Sequence, residues 1–443
     1  MPIPPELASA CADVALAGGA DAIGNRQARY VAAPASTEEA AALLRAAAAL
    51  GLTVVPRGAG RLQHWGNPPD SCDLIVDTRR LNRIVKHIPG DFAVTVQAGG
   101  RLPDLAQVLQ AARQSLALLP PRRAWPGTVG GLIATNAAGS HRYRYGTPRD
   151  RLTGITAVRA DGTIVRSTEA ANVAGQDMIT LFAGSYGTLG LITEATFRLK
   201  PLTQVSGGVW LPFTDPEDAA RLVEEVSDPW IAPCGIDLRW PSADKPGGLS
   251  VMIQGDQQDY RARQARLNAL AGRPAPSPQE RARRLDAPDH GGLPPAVAQE
   301  MLARRDRIRA ELLDPPADTG TLVRVSFPPA RLAGALTVIR AAAADSGVAA
   351  AIEGSAGAGV LDVTVPAESP AAAVARFVAA LRAELGRLSG AGAARAVLVY
   401  APDEVRDLTD THGPVPSLAL MRAVKDEFDP EHRMAPGRLA DAV

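Results

Sequence analysis

The stretch Val55 to Gly66, VPRGAGRLQHWG, constrains this chain more than any other. It is glycine-rich, it follows apolar residues, and it has no acidic side chain. Its backbone can therefore turn successive amides toward one anion without a Cβ in the way. Two more segments answer it. Trp125 to Ser140 reads WPGTVGGLIATNAAGS, and Phe182 to Thr193 reads FAGSYGTLGLIT, with Gly184, Gly187 and Gly190 spaced by three. Loops of this kind suit a phosphate-bearing cofactor, although any one of them taken singly also fits a tight surface turn.

The commoner nucleotide motifs do not fit. Gly58-Ala59-Gly60-Arg61-Leu62-Gln63 begins like the dinucleotide fingerprint, but Gln63 stands where its third glycine belongs. The following Trp65-Gly66-Asn67-Pro68-Pro69 cannot open a helix. No Gly-Lys-Ser/Thr occurs, which removes the P-loop. What remains is a nest of amides after a strand, flanked by Arg57 and Arg61, suited to the two charges of a diphosphate.

At 443 residues the chain exceeds one ordinary core, so two domains are expected. Lys plus Arg and Asp plus Glu both number 47, so no net field recruits nucleic acid or an anionic membrane. The three cysteines, Cys11, Cys72 and Cys234, lie far apart, which supports neither a disulfide framework nor an iron–sulfur cluster and fits a reducing, cytoplasmic setting. Glu6 and Asp13 interrupt the apolar tract at the N-terminus, which is expected not to be a signal peptide. No apolar run is long enough for a spanning helix.

Residues 1–27 read as a loose leader. Ser36 and Glu39 form the pattern of a capping box that opens a helix to Leu50, stopped by Gly51. Thr53–Pro56, Leu74–Asp77 and Ala93–Ala98 read as strands, Leu102–Gln114 as a helix, and Asp161-Gly162 as a hairpin turn. A strand through Leu199 and Pro201 closes a first domain over 28–202. Residues 203–400 then show a repeated βαββα order. Val205–Leu211, Asp215–Val226, Gly235–Trp240, Leu249–Gln254 and Gln257–Ala271 are matched by Leu322–Ser326, Ala330–Ala344, Ala349–Glu353, Val360–Val365 and Pro370–Leu388, with a last strand at Ala396–Tyr400. Two such units are expected to merge into one sheet. Residues 272–295, rich in Pro, Arg and Gly, read as a surface insertion of low order. Residues 401–443 are expected to return to the first domain.

Taken together, these motifs resemble the FAD-binding domain of the vanillyl-alcohol oxidase type. The residues that carry the likeness are Pro56-Arg57-Gly58-Ala59-Gly60, Pro126-Gly127-Thr128-Val129-Gly130-Gly131, Ala134-Thr135-Asn136-Ala137-Ala138-Gly139 and Gly184 to Gly190. Trp65 to Pro69, Arg144 to Asp150, Asn172 to Gly175 and Pro436-Gly437-Arg438 look most like the GlcE-type FAD-binding subunit of bacterial glycolate oxidases. The likeness is dense from about Gly51 to Pro201 and returns from about Tyr400 to Leu439. It implies an α+β fold, with a two-lobed PCMH-type FAD-binding domain and a ferredoxin-like-repeat cap. It further implies diphosphate contacts from Pro56, Arg57, Gly58, Ala59, Gly60, Arg61 and Leu62 and from Gly127, Thr128 and Gly131. Ala134, Thr135, Asn136 and Ser140 would approach the ring or ribityl chain, and Gly187, Gly190 and Ile192 the adenosine end. The FAD would be non-covalent, since Arg61 stands where flavinylated relatives carry a histidine. Ala59, Ala171, Gln176, His412 and Ala435 depart from the GlcE-like pattern.

For chemistry, the resemblance implies a flavin that takes hydride from an alcohol carbon while a base takes the hydroxyl proton. His412 in Thr411-His412-Gly413-Pro414 is a candidate base, or else a surface-loop histidine. His141 and Arg144, in His141-Arg142-Tyr143-Arg144-Tyr145, are candidates to clamp a carboxylate, or else belong to a strand edge with solvated arginines. The six histidines include no metal-binding spacing, unlike the GlcD-type partner of this family. Arg281–Arg284 with Arg304, Arg305, Arg307 and Arg309 read as a solvated helical face. The expected function is FAD-dependent oxidation of a small 2-hydroxy acid of the glycolate or lactate class, alone or with GlcD-like and iron–sulfur subunits. Oxidation of a larger alcohol or biosynthetic intermediate, and a non-catalytic flavin-binding assembly role, are the alternatives.

Overall fold

A computed structural model describes residues 2–168, 177–272, 320–389 and 394–440. The Asn172–Gly175 motif with Ala171 and Gln176, residues 273–295 of the proposed insertion, and the arginines between 281 and 309 lie outside the described residues. The chain forms two compact units, residues 1–202 with 414–443, and residues 203–413.

The first unit is built on two larger sheets, beside two short two-stranded ones. One contains β1 (Val14–Leu16), β2 (Tyr30–Ala32), β3 (Val54–Arg57) and β4 (Leu74–Asp77) in the order β1-β2-β4-β3. β4 runs parallel to both of its neighbours, and all of its residues are buried, as a central parallel strand requires. The other contains β5 (Ile84–Ile88), β6 (Ala93–Gln97), β7 (Leu152–Val158), β8 (Ile164–Thr168) and β9 (Leu191–Arg198), antiparallel in the order β8-β7-β9-β6-β5. The β7–β8 hairpin turns at Asp161-Gly162, where Gly162 takes φ +80°.

The leader is a packed element. Helix α1 (Pro5–Ala10) buries Leu7 completely, and Leu7 and Cys11 share one core cluster with Leu43 and Leu44 of helix α2 (Thr37–Ala49), Leu74 and Val76 of β4, and Val158 and Leu191 of the second sheet. Ser36 caps α2 by accepting from Glu39 N at 3.0 Å. The Glu39 carboxylate completes no capping box. It accepts instead from Ala35 N (2.6 Å) and Ala12 N (2.8 Å), tying the leader to the helix start. Burial opposes that charge, yet the two amides outweigh it and hold the carboxyl below its usual range. Helix α3 (Leu102–Ala111) ends earlier than its sequence pattern suggests, and helix α4 (Val129–Ala134) lies inside the second glycine segment.

The second unit is one seven-stranded antiparallel sheet. Its strands are β10 (Val205–Phe213), β11 (Gly235–Trp240), β12 (Gly247–Gly255), β13 (Thr321–Ser326), β14 (Ala351–Ser355), β15 (Val360–Val365) and β16 (Arg395–Tyr400), ordered β10-β12-β11-β14-β15-β13-β16. The repeat is explicit in that order. In each half the third strand lies between the first and second, and the two second strands meet at a central seam from Asp237↔Ser355 to Trp240↔Ile352. Helices α5 (Pro216–Val226), α6 (Gln257–Leu270), α7 (Leu332–Ser346) and α8 (Ala371–Ser389) complete it. Alternate strand residues such as Ile236, Leu238 and Trp240 are fully buried.

The chain leaves this unit at 413, not at 400. Leu398 N donates to Thr411 O at 2.8 Å, and the half-buried Arg382 guanidinium bridges Ala396 O and Thr411 O at 3.0 and 2.9 Å, which holds residues 401–413 against β16. Helix α9 (Leu418–Phe428) and the segment after it belong to the first unit. There Val54 N donates to Arg433 O and Ala435 N to Val54 O, both at 2.8 Å, so the tail runs beside β3.

A packed leader makes a prediction. Leu7→Ala should cost about 3 kcal/mol in urea unfolding, as a buried leucine in a rigid core does, whereas Leu16→Ala, 56% exposed, should change little. Equal stabilities for the two variants would show a loose leader.

Candidate functional site

The three glycine segments converge. β3 delivers the first, and a Cβ built on Gly58 would lie 2.2 Å from Thr128 Oγ1 in the second. One on Gly187, in the third, would lie 3.1 Å from the Pro56 ring. Gly187 also has φ +80°, a conformation that disfavours a side chain. The third segment bonds directly to the end of α4, with Gly184 N donating to Ile133 O (3.0 Å) and Tyr186 N to Ala134 O (2.9 Å). The start of α4 is pinned by Val129 N to Gly100 O (2.9 Å) and Gly130 N to Ala98 O (2.7 Å), while Thr128 Oγ1 caps it by accepting from Gly131 N.

Between these segments lies a cleft that opens to solvent. Among the described residues, its lining contains three arginines, Arg57, Arg61 and Arg438, and no carboxylate. Leu62, Leu132, Leu191, Ile192 and the Tyr186 ring supply an apolar surface. Among the described residues, the backbone amides of Ala59 to Leu62 donate to no other group of the protein. Unengaged amides in an acid-free cleft fit an anion, and the apolar walls fit a planar ring. The side chain of Arg57 contributes less than its position in the sequence suggests. It is paired with Asp21 (2.8 Å) and Asp77 (3.5 Å), and the Gly18 amide together with Arg57 holds the Asp21 carboxyl below its usual range. Arg438 is buried and clamps the first segment from behind, donating to Gln63 O and Trp65 O, both at 2.9 Å.

Most of the residues singled out from the sequence border this one cleft: Pro56 to Leu62, Gly127, Thr128, Gly131, Ala134, Thr135, Gly187, Gly190 and Ile192. Asn136 and Ser140 do not. Asn136 has φ +45°, and its Oδ1 accepts from Arg149 N at 3.2 Å, while Ser140 is buried. His141 and Arg144 also lie off the lining. They sit at a helical turn, Arg142–Tyr145, not on a strand edge, where the His141 ring meets Tyr145 edge-on at 5.5 Å and Arg144 lies 5.9 Å from the same ring. His412 belongs to the second unit, in a loop turned by Asp410, whose carboxylate accepts from His412 N (3.1 Å) and Gly413 N (2.6 Å). The lining also includes Gln63, Thr78, Ala98 and Tyr186, which sequence reasoning did not select. Tyr186 lies inside the third glycine motif and was findable there; Ala98 carries no chemical signal. No cluster of three or more metal-ligating side chains occurs among the described residues. Nor is any described helix long and apolar enough to cross a membrane.

Family models agree with this geometry. The FAD binding domain matches residues 28–168, and the C-terminal domain of FAD linked oxidases matches residues 406–439. FAD is the chain's cofactor, and its α+β fold is that of the PCMH-type FAD oxidases. A solved alkyldihydroxyacetonephosphate synthase superposes with a TM-score of 0.60 over 93% of this chain and 77% of that one, at 16% identity. A D-lactate dehydrogenase of Archaeoglobus fulgidus is 34% identical over 197 residues, 44% of each protein. Glycolate oxidase subunit GlcD of Bacillus subtilis is 30% identical over 211 residues, 47% of this chain and 44% of that protein. A D-2-hydroxyglutarate dehydrogenase of Xanthomonas citri is 37% identical over 173 residues, 38% of this chain and 36% of that protein. The match therefore spans less than half the length of these curated relatives.

If Gly58 lets the first two segments touch, Gly58→Ala should weaken FAD binding about tenfold, the equivalent of modest overpacking. Gly90→Ala, with nothing within 4 Å of its added Cβ, should bind as wild type. Fluorescence titration with FAD checks both; equal affinities would refute the close approach.

Proposed function

We propose that this chain is an FAD-dependent oxidoreductase that converts a small 2-hydroxy acid, of the glycolate or lactate class, to the 2-oxo acid. The observation that carries the reading is the acid-free cleft of unengaged amides in a chain whose named relatives act on D-lactate, glycolate or D-2-hydroxyglutarate. In this reading Arg57 to Leu62, Gly127, Thr128 and Gly131 receive the diphosphate, Ala134 and Thr135 the ribityl chain or ring, and Gly187, Gly190 and Ile192 the adenosine end. Bound non-covalently, FAD would supply the hydride acceptor for the alcohol carbon. The chain itself must hold the substrate carboxylate and take the hydroxyl proton. Arg144 with His141 is the proposed carboxylate clamp, since a guanidinium presents paired donors to a carboxylate. His412 is the proposed base, because an imidazole is the commonest side chain to accept a proton from a reacting hydroxyl.

The reading extends to a cytoplasmic, glycolate oxidase-like complex in which this chain is the FAD-binding subunit beside GlcD-like and iron–sulfur subunits. Anaerobic mixing of the purified holoprotein with D-lactate and with glycolate tests it. Loss of the flavin's visible band with either acid is the expected result for a chain that is competent alone. Bleaching that needs an added GlcD-like partner supports the subunit assignment, and bleaching only by larger alcohols would replace the substrate class.

A further inference from the structure

Helix α9 places a lysine where none belongs unless it is fully partnered. Lys425 has no exposed surface, and neither has Asp429 one turn later. The ammonium has three N–H groups, and each has an acceptor: Asp429 Oδ2 at 2.7 Å, Thr188 O at 2.7 Å and Met434 O at 2.9 Å. Asp429 is equally engaged. Its Oδ1 accepts from Arg433 N (3.0 Å) and its Oδ2 also from Met434 N (2.7 Å).

The segments joined in this way lead to the cleft. Thr188 lies between Gly187 and Gly190, both on the cleft wall. Met434 begins the tail segment that runs beside β3, and that segment ends at Arg438, which lines the cleft and holds Gln63 and Trp65. One buried cation thus fixes a carbonyl of the third glycine segment and a carbonyl of the tail that clamps the first. A buried ion pair adds little stability over an apolar pair of the same volume, because desolvation offsets the attraction. Burial accordingly pushes the Lys425 ammonium down, against the pull of Asp429. What such a pair supplies, and an apolar pair does not, is direction.

We infer that Lys425 is a positioning residue for FAD: through Thr188 and Met434 it sets the separation of the first and third glycine segments without touching the cofactor. The inference rests on FAD as the occupant of the cleft and not on the substrate.

The test uses the full chain with Lys425→Met and Asp429→Leu combined, so that no buried charge is left alone. The double variant is expected to unfold cooperatively, like wild-type apoprotein, but to bind FAD about tenfold or more weakly, as loss of charged anchors to two carbonyls requires. The circular dichroism of its bound flavin should also change. Wild-type affinity in a folded double variant overturns the inference. Should that variant fail to fold, hydrogen exchange in the wild-type chain decides. FAD should slow exchange at Arg433 N and Met434 N, which lie off the cleft wall, more than at Ala157 N and Val165 N in the β7–β8 hairpin. Equal slowing at both places overturns it. Wild-type chain that takes up no FAD is a different result and refutes the cofactor instead.

Discussion

At the cleft, glycine backbone packs directly against a small side chain of the neighbouring segment, and the rest of the first unit is arranged so that it can. The first glycine segment touches the second where Gly58 faces Thr128, and the third touches the strand that delivers the first where Gly187 faces Pro56. Among the described residues, the amides of Ala59 to Leu62 are left without an acceptor in the protein. A diphosphate can then be met by dipoles fixed in the fold, and little reorganises when it arrives. The first segment itself opens no helix, in keeping with its incomplete dinucleotide fingerprint.

Such loops have little cohesion of their own, so the fold fastens them from outside. β4, buried throughout, holds β3 in parallel register up to the start of the first segment. Hydrogen bonds from Gly184 and Tyr186 seat the third segment on α4. The C-terminal segment adds the outer fastening, through Arg438 to two carbonyls of the first segment and through Lys425 to one of the third. Residues more than two hundred positions away in sequence therefore set the geometry of loops they do not belong to.

Where side-chain period and turn chemistry are local, the sequence made the fold legible. Leu74–Asp77 is found as read, the Asp161-Gly162 turn closes its hairpin, and the two βαββα halves stand in the order their patterns imply. Where a partner distant in sequence decides, it did not. The leader looked loose because its apolar residues follow no period; the contacts of Leu7 with α2 and the bond from Ala12 N to Glu39 make it an element. The capping box looked complete, but Glu39 found better-placed amides than that of Ser36. Within the site, the glycine positions and Arg61 were readable as lining. The pairing of Arg57 with Asp21 and Asp77, and the burial of Lys425, were not, since nothing local marks a charge as engaged.

The central claim, that fixed amides in the cleft hold the diphosphate of FAD, is tested most directly by calorimetric titration of apoprotein with FAD, ADP and riboflavin under one set of conditions. The account predicts that FAD binds tightest, that ADP competes with it, and that riboflavin, which lacks phosphate, binds weakest. Riboflavin binding as tightly as FAD, with no competition from ADP, would contradict it.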